Sequence, residues 1–158
     1  MYKTKNNAAP NISSNKQVGV WQKVAIDLPE FSLGDLYDES KEFSKEDLIG
    51  KYSLLNFFAS WCTTCLSEHP ALMRLKDNGK LAIYGIAWRD IDKKTQEYLA
   101  RNGNPFTKIG VDSKGLFTKI LHINAVPESF LINPQGKIIA RFSGNIEDES
   151  EVEKLIKN

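Results

Sequence analysis

Apolar positions fall in two kinds of pattern along the chain, short continuous runs and stripes spaced three or four apart, which predicts strands interleaved with helices. Tyr52 to Phe58 is an apolar run of the length of a buried strand, and the residues from Cys62 to about Lys76 suit a helix ending at Asn78-Gly79. Leu81 to Ala87 predicts a second buried strand. Ile91, Thr95, Tyr98 and Leu99 then share one face of a second helix, stopped by Asn102-Gly103. Thr107 to Val111 reads as a short edge strand before a helical piece around Lys114 to Leu121. Glu128 to Ile132 and Lys137 to Phe142 flank Asn133-Pro134-Gln135-Gly136, a turn signal that predicts an antiparallel hairpin closing the sheet. The last segment carries Glu147, Asp148 and Glu149 in its first turn, Val152, Leu155 and Ile156 as an apolar stripe, and Lys154 and Lys157 near its end, as a helix dipole favours. The order β-α-β-α-β-β-α predicts an α/β sandwich, a mixed sheet with helices on both faces.

Two segments stand apart from this alternation. Residues 1–17 hold three lysines, no acids, four asparagines and Pro10 with no apolar period, and read as a flexible tail or tether ahead of a domain over 18–158. Residues 18–50 reverse the sign: Asp27, Glu30, Asp35, Asp38, Glu39, Glu42, Glu46 and Asp47 face only Lys23, Lys41 and Lys45. Within them Phe31 and Leu33 suit a short strand, and Ser44 suits the cap of a short helix, with Asp47 three residues on and Gly50 as its stop.

Size and charge narrow the possible activities. A chain of 158 residues fits one domain with a core of its own. A net charge of +1 gives no general field for holding a polyanion, so nucleic-acid binding is disfavoured. The longest uncharged run, Tyr52 to Ser67, is broken by Asn56, Ser60, Thr63 and Thr64 and falls short of the ~18 apolar residues of a bilayer span.

The most specific chemistry lies in Cys62 and Cys65, the only cysteines, spaced Cys-Thr-Thr-Cys where a buried strand becomes a helix. Cys62 would sit at the helix start, where unpaired N–H groups and the dipole stabilise a thiolate, and is the expected nucleophile. Cys65, one turn in and more buried, would resolve a mixed disulfide by attacking Cys62. A purely structural disulfide is the weaker reading, because closing so short a ring stabilises by roughly 2 kcal/mol, against ~3 for a 15-residue loop. Metal binding stays open: Cys62, Cys65 and His69 supply three ligands for a copper site, with His122 a distant fourth, although the second ligand pair usual for zinc is missing.

The surroundings of the pair resemble a family. Trp61-Cys62-Thr63-Thr64-Cys65 is similar to the Trp-Cys-x-x-Cys active site of the thioredoxin superfamily, as are Pro70 in the following helix and Val126-Pro127, which resembles its cis-proline loop. Glu68-His69, Gly103-Asn104-Pro105-Phe106, Val126-Pro127-Glu128-Ser129-Phe130-Leu131-Ile132 and Gly136 resemble the narrower group of cytochrome c maturation thiol:disulfide interchange proteins (CcmG/DsbE). The resemblance implies a thioredoxin-like three-layer sandwich, a cis Pro127 against the cysteines, a Val126 backbone that pairs with substrate, and Trp61, Glu68 and Glu128 as support around the catalytic Cys62 and Cys65. Asn56, six residues before Cys62, departs from thioredoxin, which has a buried aspartate there; an amide cannot accept the proton of the second cysteine, leaving Glu68, Glu128 or water. Thr63-Thr64 lacks the proline common in the subgroup.

The expectation is therefore an electron-donating dithiol:disulfide oxidoreductase that needs no cofactor and holds no metal. Its implied substrate is the haem-attachment cysteines of apocytochrome c, or a thiol chaperone that handles them, and its implied electron donor is a membrane thiol-relay reductase. Specificity would come from the Pro127 loop and the acidic 18–50 segment. The resemblance further implies a monomeric domain on the periplasmic face of the inner membrane, held in the full-length protein by a helix absent from this chain. The alternatives are a copper-handling protein using Cys62, Cys65 and His69, and a peroxiredoxin-like peroxidase, for which the nearest following arginine, Arg74, lies in the next helix.

Overall fold

The computed structural model describes residues 16–156. The chain runs β1 (Trp21–Asp27), β2 (Ser32–Asp35), β3 (Glu42–Ser44), a 3-10 turn (Lys45–Leu48), β4 (Ser53–Phe58), α1 (Thr63–Asn78), β5 (Ala82–Trp88), α2 (Asp92–Asn102), β6 (Lys108–Asp112), α3 (Leu116–Ile120), β7 (Glu128–Ile132), β8 (Lys137–Ser143) and α4 (Ser150–Ile156). All eight strands join one sheet in the order β1-β8-β7-β4-β5-β6-β2-β3. β4, β5 and β6 are parallel, and β7 runs antiparallel to β4 and β8. The mixed sheet with helices on both faces is the thioredoxin-like sandwich anticipated above. Among the described residues no helix is long and apolar enough to cross a membrane.

β4 occupies the centre because all six of its residues are buried, so it needs a partner on each edge and cover on each face. Its side chains alternate between two cores. Leu54 and Phe58 join Leu72 and Leu75 of α1, Tyr98 and Leu99 of α2, and Val152 of α4. Leu55 and Phe57 join Phe117 and Leu121 on the other face, with Leu48 of the 3-10 turn. Gly85 in β5 is dictated by packing: a Cβ there would stand 2.9 Å from the Phe58 ring and 3.0 Å from that of Phe106.

Three expectations are corrected, and two edge strands are added to them. Residues 107–111 do not form an edge strand: β6 is interior, because β2 pairs with its outer side through Gly34↔Val111 and Asp35↔Gly110. The hairpin β7–β8 does not close the sheet, since β1, not anticipated, pairs beyond β8. β3 was likewise unforeseen and forms the other edge. Ile91 precedes α2 as its N-cap and is 61% exposed, so the buried face of that helix is Thr95, Tyr98 and Leu99. The acidic 18–50 stretch is thus divided, β1 at one edge of the sheet and β2–β3 at the other. Residues 16 and 17 belong to the described residues; the remainder of the expected tail, 1–15, lies outside them.

Candidate active site

At the C-terminal end of β4 the chain turns through Ala59-Ser60-Trp61 into α1, with Cys62 as the N-cap. The turn is tied to the one after β5. Asp90 accepts from Ser60 N at 2.7 Å, from Ser60 Oγ at 2.8 Å and from Thr95 Oγ1 at 2.8 Å, and its own loop closes through Ile91 N at 2.9 Å. Trp61 is 56% exposed, lies against Trp88 and donates its Nε1–H to the Arg89 carbonyl at 3.0 Å, so it is a surface residue beside the cysteines and not a core aromatic.

Cys62 and Cys65 are joined as a disulfide with their Cα atoms 5.3 Å apart. Cys65 N–H donates to Cys62 Sγ at 3.1 Å, so one orphan donor of the helix start already points at that sulfur, where it would stabilise a thiolate. Cys62 retains 8% of its exposure and Cys65 2%, which makes Cys62 the sulfur a partner would reach. The Val126–Pro127 bond is cis, and the Val126 carbonyl oxygen lies 3.6 Å from Cys62 Sγ.

Glu68, one turn beyond Cys65 and 1% exposed, lies in the α1-side core. Its Oε2 accepts from Asn56 Nδ2 at 2.8 Å and its Oε1 from the Ile146 backbone N–H at 3.0 Å. The second Asn56 amide hydrogen goes to Ser129 Oγ at 3.0 Å, and Asn56 Oδ1 has no hydrogen-bond partner among the described residues. Burial pushes the Glu68 carboxyl up to about 7 against the pull of those two donors. The burial of Tyr98 itself and, to a lesser degree, the Glu68 charge push the Tyr98 hydroxyl up to about 12.

Glu128, 2% exposed, faces the opposite side of the sheet from Ser129, its neighbour in β7. Its Oε2 lies 3.6 Å from Arg141 Nε and its Oε1 3.6 Å from Lys16 Nζ. Burial raises its pKa, and the Ser143 hydroxyl and the two cations counteract that. The two glutamates therefore flank the site from different faces.

His69 holds the Gly103 carbonyl oxygen 2.6 Å from Nε2 and meets Tyr98 edge-on. Among the described residues no three His, Cys, Asp or Glu side chains gather as a metal-binding group. Arg74, expected in the next helix, lies in α1, the same helix as Cys65, and commits its Nε to Glu149 Oε1 at 3.0 Å. The groups not foreseen in these places are Asp90, Arg89, Ser129, Ile146, Arg141 and Lys16. The usable signals were a charge inside the apolar run Ile138 to Phe142, and an amide inside Leu54 to Phe58.

The sequence profile of the Redoxin family matches residues 23–156. The chain is similar to the thiol:disulfide interchange protein HelX of Rhodobacter capsulatus, 36% identical over 106 residues, 67% of this chain and 60% of that protein. It is also similar to the thiol:disulfide interchange protein DsbE of Vibrio cholerae, 32% identical over 151 residues, 96% of this chain and 79% of that one. The fold matches a secreted thiol-disulfide isomerase from Corynebacterium glutamicum with a TM-score of 0.79, at 18% identity, covering 92% of this chain and 95% of that one.

Proposed function

The chain belongs to the Redoxin family and, within it, to the DsbE group of thiol:disulfide interchange proteins, and on that premise we propose that it is an electron-donating dithiol:disulfide oxidoreductase serving cytochrome c maturation. The reading rests on one observation: the sulfur at the helix start is held between an N–H donor and the Val126 carbonyl, with a buried carboxyl of near-neutral pKa one turn behind its partner cysteine.

In the reduced protein, the Cys62 thiolate attacks one sulfur of a substrate disulfide. A mixed disulfide forms and the first substrate thiolate leaves. Cys65 then loses its proton to the Glu68 carboxylate and attacks Cys62 Sγ, which releases the second substrate thiolate and leaves the Cys62–Cys65 disulfide. Two electrons pass to the substrate, and the pair awaits re-reduction by a membrane thiol relay. Glu68 replaces the strand aspartate of thioredoxin from the helix side, while Asn56 holds it in place. Val126 offers its backbone to an extended substrate, and Trp61 forms the rim beside Cys62. Glu128 adds negative charge beneath the Pro127 loop.

The substrate we infer is the Cys-x-x-Cys-His segment of apocytochrome c, or a thiol protein that carries it, met at the periplasmic face of the inner membrane, where this domain acts as a membrane-anchored monomer. The test is capture with Cys65→Ser, which leaves Cys62 free to attack and nothing to resolve the product. An oxidised apocytochrome peptide should accumulate as a disulfide with Cys62, in preference to a general substrate such as insulin. Equal capture of both, or none of the peptide, overturns the assignment.

A further inference from the structure

Glu128 is the one buried acid at the site that the proton-transfer steps above do not use, and the segment before β1 meets it. Gln17 N–H donates to Gln22 Oε1 at 2.9 Å, Val18 bridges Ser143, and Gly19 N–H donates to the Ser143 carbonyl at 2.8 Å. The first ties the segment to β1, and the other two lay it along the end of β8, the strand whose Ser143 pairs with Glu128. They bring Lys16 Nζ to 3.6 Å from Glu128 Oε1, with Lys16 only 27% exposed. That oxygen has no hydrogen-bond partner of good geometry among the described residues, and the Lys16 ammonium is the cation set against it, as Arg141 is against Oε2. The charged or titratable groups facing Glu128 are Lys16 from this segment and Arg141 and the Ser143 hydroxyl from β8; Phe57, its partner in β4, offers none. Glu128 follows Pro127 directly, two residues from the carbonyl that touches Cys62 Sγ.

We propose that Lys16 is a positioning residue for the redox site: docked on Glu128 beneath the Pro127 loop, it keeps that carboxylate charged and adds a positive charge that couples the placement of the segment before β1 to the redox balance of Cys62 and Cys65. This rests on the dithiol reading above but not on the identity of the substrate, because the equilibrium of the pair is a property of the protein alone.

The test compares wild-type protein with Lys16→Met and Lys16→Arg, each made alone and again in a Glu128→Gln background. The thiol–disulfide equilibrium constant against glutathione is measured from pH 5 to 8, and Glu128 is titrated by NMR. Lys16→Met removes a cation, so Glu128 takes its proton at higher pH. The Cys62 thiolate is less favoured, and the equilibrium should move about threefold toward the disulfide at neutral pH, more at low salt. Lys16→Arg should restore both readings, and in the Glu128→Gln background the shift in pH profile should vanish. An unchanged Glu128 titration in Lys16→Met, or an effect on the pair that persists undiminished without Glu128, overturns the proposal. Loss of apocytochrome capture with these shifts intact would count against the substrate assignment alone.

Discussion

At the scale of single residues, Glu68 carries the most consequence. Its carboxyl titrates near 7 in the folded chain against 4.5 ordinarily, so between those values the native state binds a proton that the unfolded chain has released. Stability is therefore highest below pH 4.5 as far as this group is concerned, and declines as the pH rises through about 7, by on the order of 3 kcal/mol if the full shift is realised. Glu68→Gln keeps the shape and abolishes the charge. Chemical denaturation at pH 5 and pH 8 should show the slope in wild type and a flatter line in the variant, which should be the more stable of the two at pH 8. Resolution of the mixed disulfide, followed by stopped flow, should slow by about a hundredfold, the lower end for losing a general base. An unaltered resolution rate would remove Glu68 from the proton path. Asn56→Ala, by contrast, should lower stability at both pH values by about 1–3 kcal/mol, because it strips a donor from a buried carboxyl and leaves Ser129 Oγ without its partner.

At the scale of elements, the joint between β4 and α1 is held by the turn after β5. Asp90→Ala deletes the acceptor for Ser60 N, Ser60 Oγ and Thr95 Oγ1 at once, and should cost about 2–3 kcal/mol in urea unfolding while leaving the bond between the cysteines able to form. A loss below 0.5 kcal/mol would show that water replaces the carboxylate. This joint also shows what a sequence can express. Cys62 and Cys65 were legible because their spacing and their place at a strand–helix boundary are local facts. The Asn56–Glu68–Ser129 contact was not, since it is made by residues from a strand, a helix and a second strand that only folding brings together. The central strands and long helices announced themselves through burial on one or both faces. β1 did not, as an edge strand of alternately exposed residues lacks an apolar run, and the three residues of β3 are too few to show a period. β6 seemed peripheral for a related reason: the strand that covers it, β2, comes far earlier in the chain.

At the scale of the molecule, the sheet has a protected middle and two weak margins. β4, β5 and β7 are enclosed on both sides, whereas β1 and β3 each pair on one side only. Native-state hydrogen exchange should accordingly find the slowest amides in β4 and β5 and the fastest in β3 and the outward row of β1; uniform protection across the eight strands would contradict that picture. The C-terminal helix is fastened by Val152 in the core and by Lys80–Glu153 at the surface, while Arg74–Glu149 ties down the residue just before it. Breaking either surface pair should change stability by less than about 1 kcal/mol. The short link ahead of that helix has a different use. Because the Ile146 amide hydrogen rests on Glu68 Oε1, its resonance will drift with every change in the charge of that oxygen. The protein thus carries an indicator of its own internal acidity on a main-chain atom, legible in a spectrum of the unmodified molecule and silent only when the carboxyl is gone.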